Sequence, residues 1–202
     1  MDKSRIVMRK KFFLFRAYLF LPVVMVLWLT LNGAQKRLII ADRNQWYRWQ
    51  HLQEGWKGFA YLFANYPEYR SILYWRMGVK RFLFSWWMRP LRDLYINTKD
   101  IGGGLIIQHG FSTIISAKKI GENCKIYHHV TLGYSHDLQA PVIGNNVEVC
   151  CGAKVIGGVT VGDNVLIGAG ALVIKDVPAN TVVGGVPASV IKTLDHQRDL
   201  TL

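Results

Sequence analysis

The chain has 202 residues, of which 50% are hydrophobic, and it carries a formal net charge of +12 at pH 7. This length allows one or two small domains, each with a hydrophobic core. The three cysteines, Cys124, Cys150 and Cys151, form no CxxC pair. A disulfide framework is therefore not indicated, and a reducing cytoplasm is expected.

Charge and aromatic residues are distributed unevenly between two halves. Residues 1–100 hold 18 Lys and Arg against 6 Asp and Glu, whereas residues 101–202 hold 7 of each kind. All seven tryptophans, and 22 of the 25 aromatic residues, lie in the first half. A basic, aromatic half is typical of proteins that bind an anionic membrane surface or nucleic acid, and the high apolar content favours the membrane. We therefore expect a membrane-surface partner and no nucleic acid.

The first element is an apolar segment, "FFLFRAYLFLPVVMVLWLTLN" (12–32), with Arg16 as its one charge. A helix that spans a bilayer needs about 20 apolar residues, so this segment is marginal, and Pro22 is expected to kink it. Bases flank it on both sides: Lys3, Arg5, Arg9, Lys10 and Lys11 before it, and Lys36 and Arg37 after it. This pattern favours a re-entrant or in-plane segment over a spanning helix, with a buried helix of a soluble domain as the alternative. No small-x-small cleavage site follows, which disfavours a signal peptide.

Residues 36–87 predict two to four short helices, because aromatic and aliphatic residues recur at three- and four-residue steps. Their aromatic residues either line a membrane face or form the core of a small helical domain. The candidates for the membrane face are Leu73, Tyr74, Val79, Phe82, Phe84, Trp86 and Trp87. The candidates for binding lipid phosphates are Arg70, Arg76, Lys80, Arg81, Arg89 and Arg92.

A six-residue repeat begins at residue 101. Aliphatic residues recur at six-residue steps at Ile120, Ile126, Leu132 and then Ile143, Val149, Val155, Val161, Ile167 and Val173, with a one-residue slip between Ile107 and Ile120. Such a period predicts short strands and tight turns that close three-sided coils, with the aliphatic residues inside. Turns such as "IGENC" and "IGNNV" supply Gly or Asn where φ is positive. The eleven-residue step from Leu132 to Ile143 predicts a loop over 133–142.

The predicted fold is mainly β, a left-handed parallel β-helix preceded by an α-helical, membrane-associated N-terminal region. The predicted domains are residues 1–98, the β-helix over residues 99–191, and a tail over residues 192–202. Because coils pair with one another along the solenoid, this fold leaves few free sheet edges.

The motifs "IGENCKI", "VTLG", "IGNNVEV", "VIGGVTVGDNVLIGAGALV" and "GVPASVI" resemble those of the hexapeptide-repeat acyltransferases. The resemblance covers about residues 94–192 and is strongest to the serine acetyltransferase-like branch, which includes many capsule and lipopolysaccharide O-acetyltransferases. It implies a homotrimer, acetyl-CoA as co-substrate, a catalytic histidine and no metal.

The motif "IIQHGFSTIIS" (106–116) gives the role of the family's general base to His109. A neutral imidazole can take the proton of an acceptor hydroxyl, and the apolar residues around His109 are expected to keep it neutral. The alternative is a structural histidine. The carboxylate that orients the family's base would fall at Leu94, so Asp93 is our candidate, with Glu148 from another protomer of the trimer or a backbone carbonyl as alternatives.

The resemblance also implies binding residues. For CoA these are Tyr134, Cys151, Ala169, Gly185, Pro187 and Lys192; for the acceptor they are Gln108, His128, His129 and Gln139. Gln108 stands where the serine enzymes have an aspartate, and Gln139 and Ala140 stand where they have an Arg-His pair. Because those charged groups hold the amino-acid zwitterion, their loss favours a neutral hydroxyl such as that of a sugar.

We therefore expect an acetyl-CoA-dependent O-acetyltransferase that acts on a sugar hydroxyl in surface polysaccharide or glycolipid synthesis. The expected location is the cytoplasmic face of a bacterial inner membrane. One alternative is a serine O-acetyltransferase of cysteine biosynthesis. A second is a trimer of another class, either non-catalytic or a carbonic anhydrase-like zinc enzyme with ligands from His109, His128, His129 and His136.

Overall fold

The structure, a computed structural model, describes residues 3–194, and describes side chains from Phe12 onward. It divides into two compact units, Met1–Pro90 and Leu91–Leu202. The expected boundary at 98/99 therefore falls inside the second unit, because the strand Leu94–Ile96 already pairs with the β-helix.

The first unit is helical. Within residues 3–90 its elements are α1 (Lys3–Leu29), α2 (Gly33–Gln50), α3 (Trp56–Asn65) and α4 (Pro67–Met77), followed by a 3₁₀ helix over Gly78–Leu83. A capping box starts α2, in which Asn32 and Gln35 satisfy each other's backbone N–H groups. Pro67 starts α4, where a missing N–H costs nothing. Pro22 lies inside α1 and does not end it.

Aromatic side chains form much of the core of the helical unit. The largest fully buried side chains include those of Trp46, Tyr47, Phe59, Phe63, Tyr69 and Tyr74. An ion pair lies among them: Arg76 Nε donates to Asp42 Oδ2 at 2.9 Å, and Arg76 Nη2 donates to Asp42 Oδ1 at 3.1 Å. The small helical domain is thus present.

Several candidates for lipid contact are instead core residues. Leu73 and Tyr74 are 1% and 2% exposed. Arg70 is also buried, and its Nη1 donates to the carbonyl oxygen of Phe63 at 2.6 Å. With the buried Arg76, these residues are corrections to the expected membrane face, because three- and four-residue spacing does not tell a core-facing stripe from a surface one.

The second unit is the predicted left-handed parallel β-helix. Within residues 91–194 its strands are β1 (Leu94–Ile96), β2 (Ile106–Ile107), β3 (Thr113–Ile115), β4 (Lys119–Ile120), β5 (Lys125–Ile126), β6 (Thr131–Gly133), β7 (Val142–Ile143), β8 (Glu148–Val149), β9 (Lys154–Ile156), β10 (Thr160–Val161), β11 (Leu166–Ile167), β12 (Leu172–Val173), β13 (Thr181–Gly184) and β14 (Ser189–Thr193). Three sheets make its sides, and their strands pair in parallel except for the last one, β14. We call them sheet A (β1-β3-β6-β9-β12), sheet B (β4-β7-β10) and sheet C (β2-β5-β8-β11-β13-β14).

The six-residue repeat becomes columns of buried aliphatic side chains. In sheet C the column consists of Ile107, Ile126, Val149, Ile167 and Val183, each paired with the next by strand register and each at most 2% exposed. Burying one large aliphatic side chain contributes about 1.5–3 kcal/mol to the free energy of unfolding. These columns are therefore the main stabilising feature of the solenoid.

An asparagine ladder forms the corner between sheets B and C. Asn123, Asn146, Asn164 and Asn180 all have positive φ, between 53° and 57°. Asn146 Nδ2 donates to Asn164 Oδ1 at 2.9 Å, and Asn164 Nδ2 donates to Asn180 Oδ1 at 2.8 Å. The expected use of Asn at positive-φ turn positions is confirmed. The predicted loop over 133–142 is also present, between β6 and β7.

The end of the solenoid differs from the expected domain limits. Strand β14 folds back antiparallel to β13, with Lys192 opposite Val182. Lys192 is therefore part of the β-helix unit rather than the first residue of a tail. Residues 195–202 of the expected tail lie outside the described residues.

Candidate active site

The slip in the six-residue period lies at the corner that carries His109. The step from the paired position Ile107 to Ile115 is eight residues, and the step from Ile115 to Ile120 is five. The longer step adds two residues to the corner between β2 and β3. His109 itself has a φ of 64° in this corner. Left-handed backbone at a non-glycine residue costs about 1–2 kcal/mol, and such strain is concentrated at functional sites.

His109 is exposed in the protomer. The expectation that apolar neighbours surround it is therefore wrong for the single chain. Ile106 and Ile107 are buried, whereas the corner turns the imidazole outward. Gly110 completes the turn with a φ of 58°, and a side chain there would collide with Ile107 and Leu91. The sequence at this corner thus folds so that an imidazole is presented on the surface.

Three histidines and one phenylalanine cluster at this corner. The ring of Phe111 stacks on that of His128 with centroids 4.8 Å apart. The imidazole of His109 lies 5.8 Å from that of His128, which lies 5.4 Å from that of His129. Phe111 was missed in the sequence analysis. The signal that points to it is the longer step between Ile107 and Ile115.

The pKa of His128 is lowered, first by burial and then by the neighbouring imidazoles of His129 and His109. Its Nδ1 is buried and, within the described residues, accepts or donates no hydrogen bond. A neutral His128 places no positive charge beside the imidazole of His109.

Among the described residues, no ion pair links Asp93 to His109. Asp93 is exposed, and its backbone carbonyl accepts the N–H of Thr113 at 3.1 Å. Across residues 12–194, no hydrogen bond or ion pair joins its carboxylate to His109. The alternative, Glu148, is already engaged, because its Oε1 accepts the hydroxyl of Tyr127 at 2.8 Å. No carboxylate of the described protomer therefore orients the imidazole.

Most of the expected CoA residues lie at the same corner as His109. Backbone hydrogen bonds join the successive coils at this corner. The N–H of Gly152 donates to the carbonyl of His128 at 3.1 Å, and the N–H of Gly170 donates to the carbonyl of Cys151 at 2.9 Å. The N–H of Leu172 donates to the carbonyl of Gly185 at 3.0 Å. At this corner the chain leaves the strands of sheet C. The corner carries His128 after β5, Cys151 after β8, Ala169 after β11, and Gly185 and Pro187 after β13. We call this column, together with His109, Phe111 and His129, the histidine corner. The structure brings these expected site residues together.

Tyr134 and Gln139 lie elsewhere. Both belong to the loop after β6, at the corner between sheets A and B, and both are exposed. Gln139 packs against Gly158, and its carbonyl accepts the N–H of Ser135 at 3.1 Å, which closes the loop. Gln108 is half-buried at the end of β2, next to His109, and Lys192 is exposed on β14. The expected acceptor residues are thus divided between two corners of one protomer.

The described residues do not fit the zinc alternative within one protomer. Across them, no group of three or more His, Cys, Asp and Glu side chains is placed to hold a metal ion. His136 pairs instead with Asp137, Nε2 to Oδ1 at 2.8 Å, in the loop after β6.

Residues 140–175 match the family model described as bacterial transferase hexapeptide (six repeats). The chain is 43% identical over 95 residues to a serine acetyltransferase of Synechococcus elongatus, which covers 45% of this chain and 39% of that protein. It is also 43% identical over 95 residues to one of Helicobacter pylori, covering 45% of this chain and 56% of that protein. The chain thus spans about half, or less, of the length of these relatives.

Solved structures with the same fold are also serine acetyltransferases. That of Neisseria gonorrhoeae in complex with serine has a TM-score of 0.63 and 25% identity, covering 78% of this chain and 69% of that chain. That of Brucella abortus in complex with coenzyme A has a TM-score of 0.63 and 23% identity, covering 81% and 70%.

These comparisons overturn the expected sugar acceptor. The relatives at 38–43% identity, and the matching solved structures, are serine acetyltransferases, which was the stated alternative. The sugar prediction relied on charged positions lost at Gln108, Gln139 and Ala140, and three substitutions carry less weight than 43% identity over 95 residues. The β-helix of this chain is therefore similar to the hexapeptide-repeat domains of serine acetyltransferases.

Proposed function

We propose that the chain is an acetyl-CoA-dependent serine O-acetyltransferase. The observation that carries this proposal is His109, presented on a strained, lengthened corner of a β-helix that is 43% identical to serine acetyltransferases. Serine is the proposed acceptor because the relatives are serine acetyltransferases. His109 is the proposed base because the corner exposes its imidazole.

In the proposed reaction His109 takes the proton of the serine hydroxyl while that oxygen attacks the thioester carbonyl carbon. His109 then returns the proton to the departing CoA sulphur. An imidazole suits both steps because its ordinary pKa lies near cellular pH. Backbone N–H groups in the glycine-containing turns of the histidine corner are suited to stabilise negative charge on the carbonyl oxygen. Direct transfer needs no enzyme nucleophile. Burial raises the pKa of the Cys150 thiol to about 11, which disfavours its thiolate.

Acetyl-CoA is the proposed co-substrate, held along the histidine corner by the column Cys151, Ala169, Gly185 and Pro187. Small residues suit this role, because a long ligand must lie close to the backbone. Gly152 and Gly170 follow Cys151 and Ala169 with φ of 74° and 68°, and no side chain stands out from them.

We propose a homotrimer, because one protomer does not assemble the whole site. Tyr134 and Gln139 lie at a different corner from His109, and no carboxylate of the described protomer contacts His109. A second copy can bring its loop after β6 to the histidine corner of the first. It can also supply the missing carboxylate and bury the exposed imidazole.

Serine binding is expected to be weaker than in an enzyme with charged contacts. The side chains of Gln108 and Gln139 are neutral amides, and hydrogen bonds between neutral groups are weaker than charge-assisted ones. We therefore expect a high KM for serine without loss of the chemical step.

We also infer that the chain works at the cytoplasmic face of a bacterial membrane. The net charge of +12 lies entirely in the first hundred residues, and the segment Phe12–Leu29 is long and apolar enough to cross a membrane by length and composition. Recovery of the full chain in the membrane fraction of expressing cells tests this location.

Release of free CoA thiol from acetyl-CoA tests the activity. With the full chain we expect release that depends on L-serine and saturates at high concentration, and O-acetylserine detected by mass spectrometry. L-Alanine is the matched control, because it lacks only the hydroxyl. Equal release with serine, alanine and buffer would contradict the proposal.

A further inference from the structure

Helix α1 has two apolar faces, and only one of them is covered. The buried face consists of Ala17, Phe20, Val24 and Leu27, at three- and four-residue steps. It packs within the helical unit, where the ring of Phe20 lies 5.9 Å from that of Phe63. The other face carries Phe12 (59% exposed), Phe15 (65%), Leu19 (60%), Val26 (54%) and Leu29 (79%), with Leu14, Tyr18 and Met25 beside them. We call these eight residues the outer face of α1.

No charge interrupts the outer face. Arg16 is the one charged residue between Phe12 and Leu29. Its guanidinium turns inward, and Nη2 donates to the Ala64 carbonyl at 2.8 Å. The window Phe12–Leu29 is only 22% buried inside the unit. A helix on the surface of a soluble protein carries polar residues on its outer side, so this composition indicates a covered face.

A second apolar set continues from the end of α1. Lys80 Nζ donates to the Thr30 carbonyl at 2.6 Å, which fixes the 3₁₀ helix beside that end. Around Lys80, the 3₁₀ helix and the turn after it expose Val79 (82%), Phe82 (65%), Leu83 (62%) and Trp86 (74%). Large aliphatic and aromatic side chains at such exposure are typical of interfacial segments.

Basic residues flank the outer face in the sequence, and acidic residues are absent from the same stretch. Five bases lie between residues 3 and 11, and the sequence has no Asp or Glu from residue 3 to residue 41. At the other end of α1, Lys36 Nζ lies 5.5 Å from the ring centre of Trp28, and Arg37 is exposed. Bases and tryptophan at the edges of an apolar surface match the charge and depth profile of an anionic bilayer interface.

The packing of α1 favours a position in the plane of the interface over a spanning one. Arg16 and Lys57 lie beside its apolar stretch, and Lys57 Nζ sits 5.4 Å from the ring centre of Tyr18. A spanning α1 would take these charges into the hydrocarbon or separate α1 from α3, both of which are costly. Lying in plane, α1 keeps its buried face on the unit and places Lys57 within reach of headgroups.

We propose that the outer face of α1, with the exposed side chains of the 3₁₀ helix, binds the surface of an anionic phospholipid bilayer and lies in its plane. This interaction is separate from acetyl transfer, which resides in the β-helix. It would hold the chain at a membrane.

Vesicle flotation tests the proposal with the full chain. We expect the protein to float with vesicles of phosphatidylcholine containing 30% phosphatidylglycerol, and to float several-fold less with phosphatidylcholine alone. The double variant Leu19→Glu/Val26→Glu places two charges on the outer face and should remain with the soluble fraction. Leu138→Glu, at a residue 80% exposed in the β-helix unit, is the matched control and should float as the parent does.

Three outcomes would overturn the proposal. Flotation of the double variant at the parent's level would show that the outer face does not contact lipid. A parent that ignores vesicles, but has a larger mass than the double variant by light scattering, would assign the face to a second copy. Retention of the parent in alkaline carbonate-washed membranes would indicate a spanning helix.

A second readout needs no variant. All seven tryptophans lie in the helical unit. Vesicles made with brominated phosphatidylglycerol should quench their fluorescence, whereas unbrominated vesicles should not. Equal fluorescence in both would contradict lipid contact even if the double variant failed to fold.

Discussion

The two units of this chain bury their apolar residues by different rules. In the β-helix, an aliphatic residue such as Val149 lies directly between Ile126 and Ile167 of the neighbouring coils, so one role is repeated many times. In the helical unit, aromatic residues divide between a core and an exposed face, and neighbours such as Phe20 and Leu19 differ completely in exposure. Repetition packs each coil of the first unit against its neighbours, whereas the second unit leaves large apolar side chains exposed.

The largest structural effect is expected where the helical unit buries charge. In Asp42→Asn, Arg76 loses its charged partner while it remains buried, with side-chain exposures of 1% and 2% for the pair. We expect a loss of about 3–5 kcal/mol in the free energy of unfolding, measured in urea. The pair Asp100–Lys119 of the β-helix is exposed at 3.9 Å, so Asp100→Asn should cost less than about 1 kcal/mol. Equal losses in the two variants would contradict this contrast.

Removing one side chain from an aliphatic column tests the packing of the β-helix. Ile126 is 1% exposed, and its replacement by Ala leaves a cavity between two coils. The expected loss is about 2–5 kcal/mol, read from the urea midpoint of the unit. Leu138→Ala, at a residue 80% exposed in the loop after β6, should change that midpoint little. A small effect at Ile126 would mean that the coils close around the gap.

Variants in the asparagine ladder can measure the cost of backbone strain apart from the cost of a lost hydrogen bond. Asn146 combines a φ of 53° with a 2.9 Å bond to Asn164. Asn146→Ala loses both and should cost about 1–2 kcal/mol for the backbone conformation, with more for the bond. Asn146→Gly keeps the conformation and should cost less than Ala. Thermal unfolding of the two variants checks the order, and a glycine variant as unstable as the alanine one would assign the effect to the bond alone.

The smallest expected effect is a pH dependence at the histidine corner. The pKa of His128 is below its ordinary value in the folded chain, so the unfolded chain binds that proton more readily. Stability should therefore be complete above about pH 6.5 and fall as the pH is lowered through that value. Urea midpoints at pH 7.5 and 5.5 measure the fall, which should shrink in His128→Gln. An unchanged fall in that variant would assign it to other groups.

The sequence predicts the β-helix well because its period has one physical meaning. The six-residue step places Ile126 and Val149 in one column, and Asn146 and Asn164 at positive φ. The same period predicts the loop after β6 and shows the one-residue slip before Ile120. It did not locate the two added residues beside His109, because spacing counts residues without saying which corner takes them.

Prediction was weaker where residues have several possible roles. Arginine suits a lipid phosphate and a buried carboxylate equally well, so Arg76 was assigned to the membrane although it pairs with Asp42. Asp93 was the candidate partner of His109 because it adjoins Leu94, where the family's carboxylate would fall, but no ion pair among the described residues joins the two side chains. The sugar acceptor was inferred from substitutions at Gln108, Gln139 and Ala140, and the 43% identity to serine acetyltransferases over 95 residues contradicts it.

The most direct test of the account is the activity of His109→Gln with L-serine and acetyl-CoA. Glutamine is neutral and similar in size, so the affinity for CoA, measured by calorimetry, should stay unchanged. The account predicts that kcat/KM falls by about 10²–10⁴, the usual contribution of a general base. A variant that binds CoA and transfers acetyl groups at the parent's rate would contradict the role of the histidine corner.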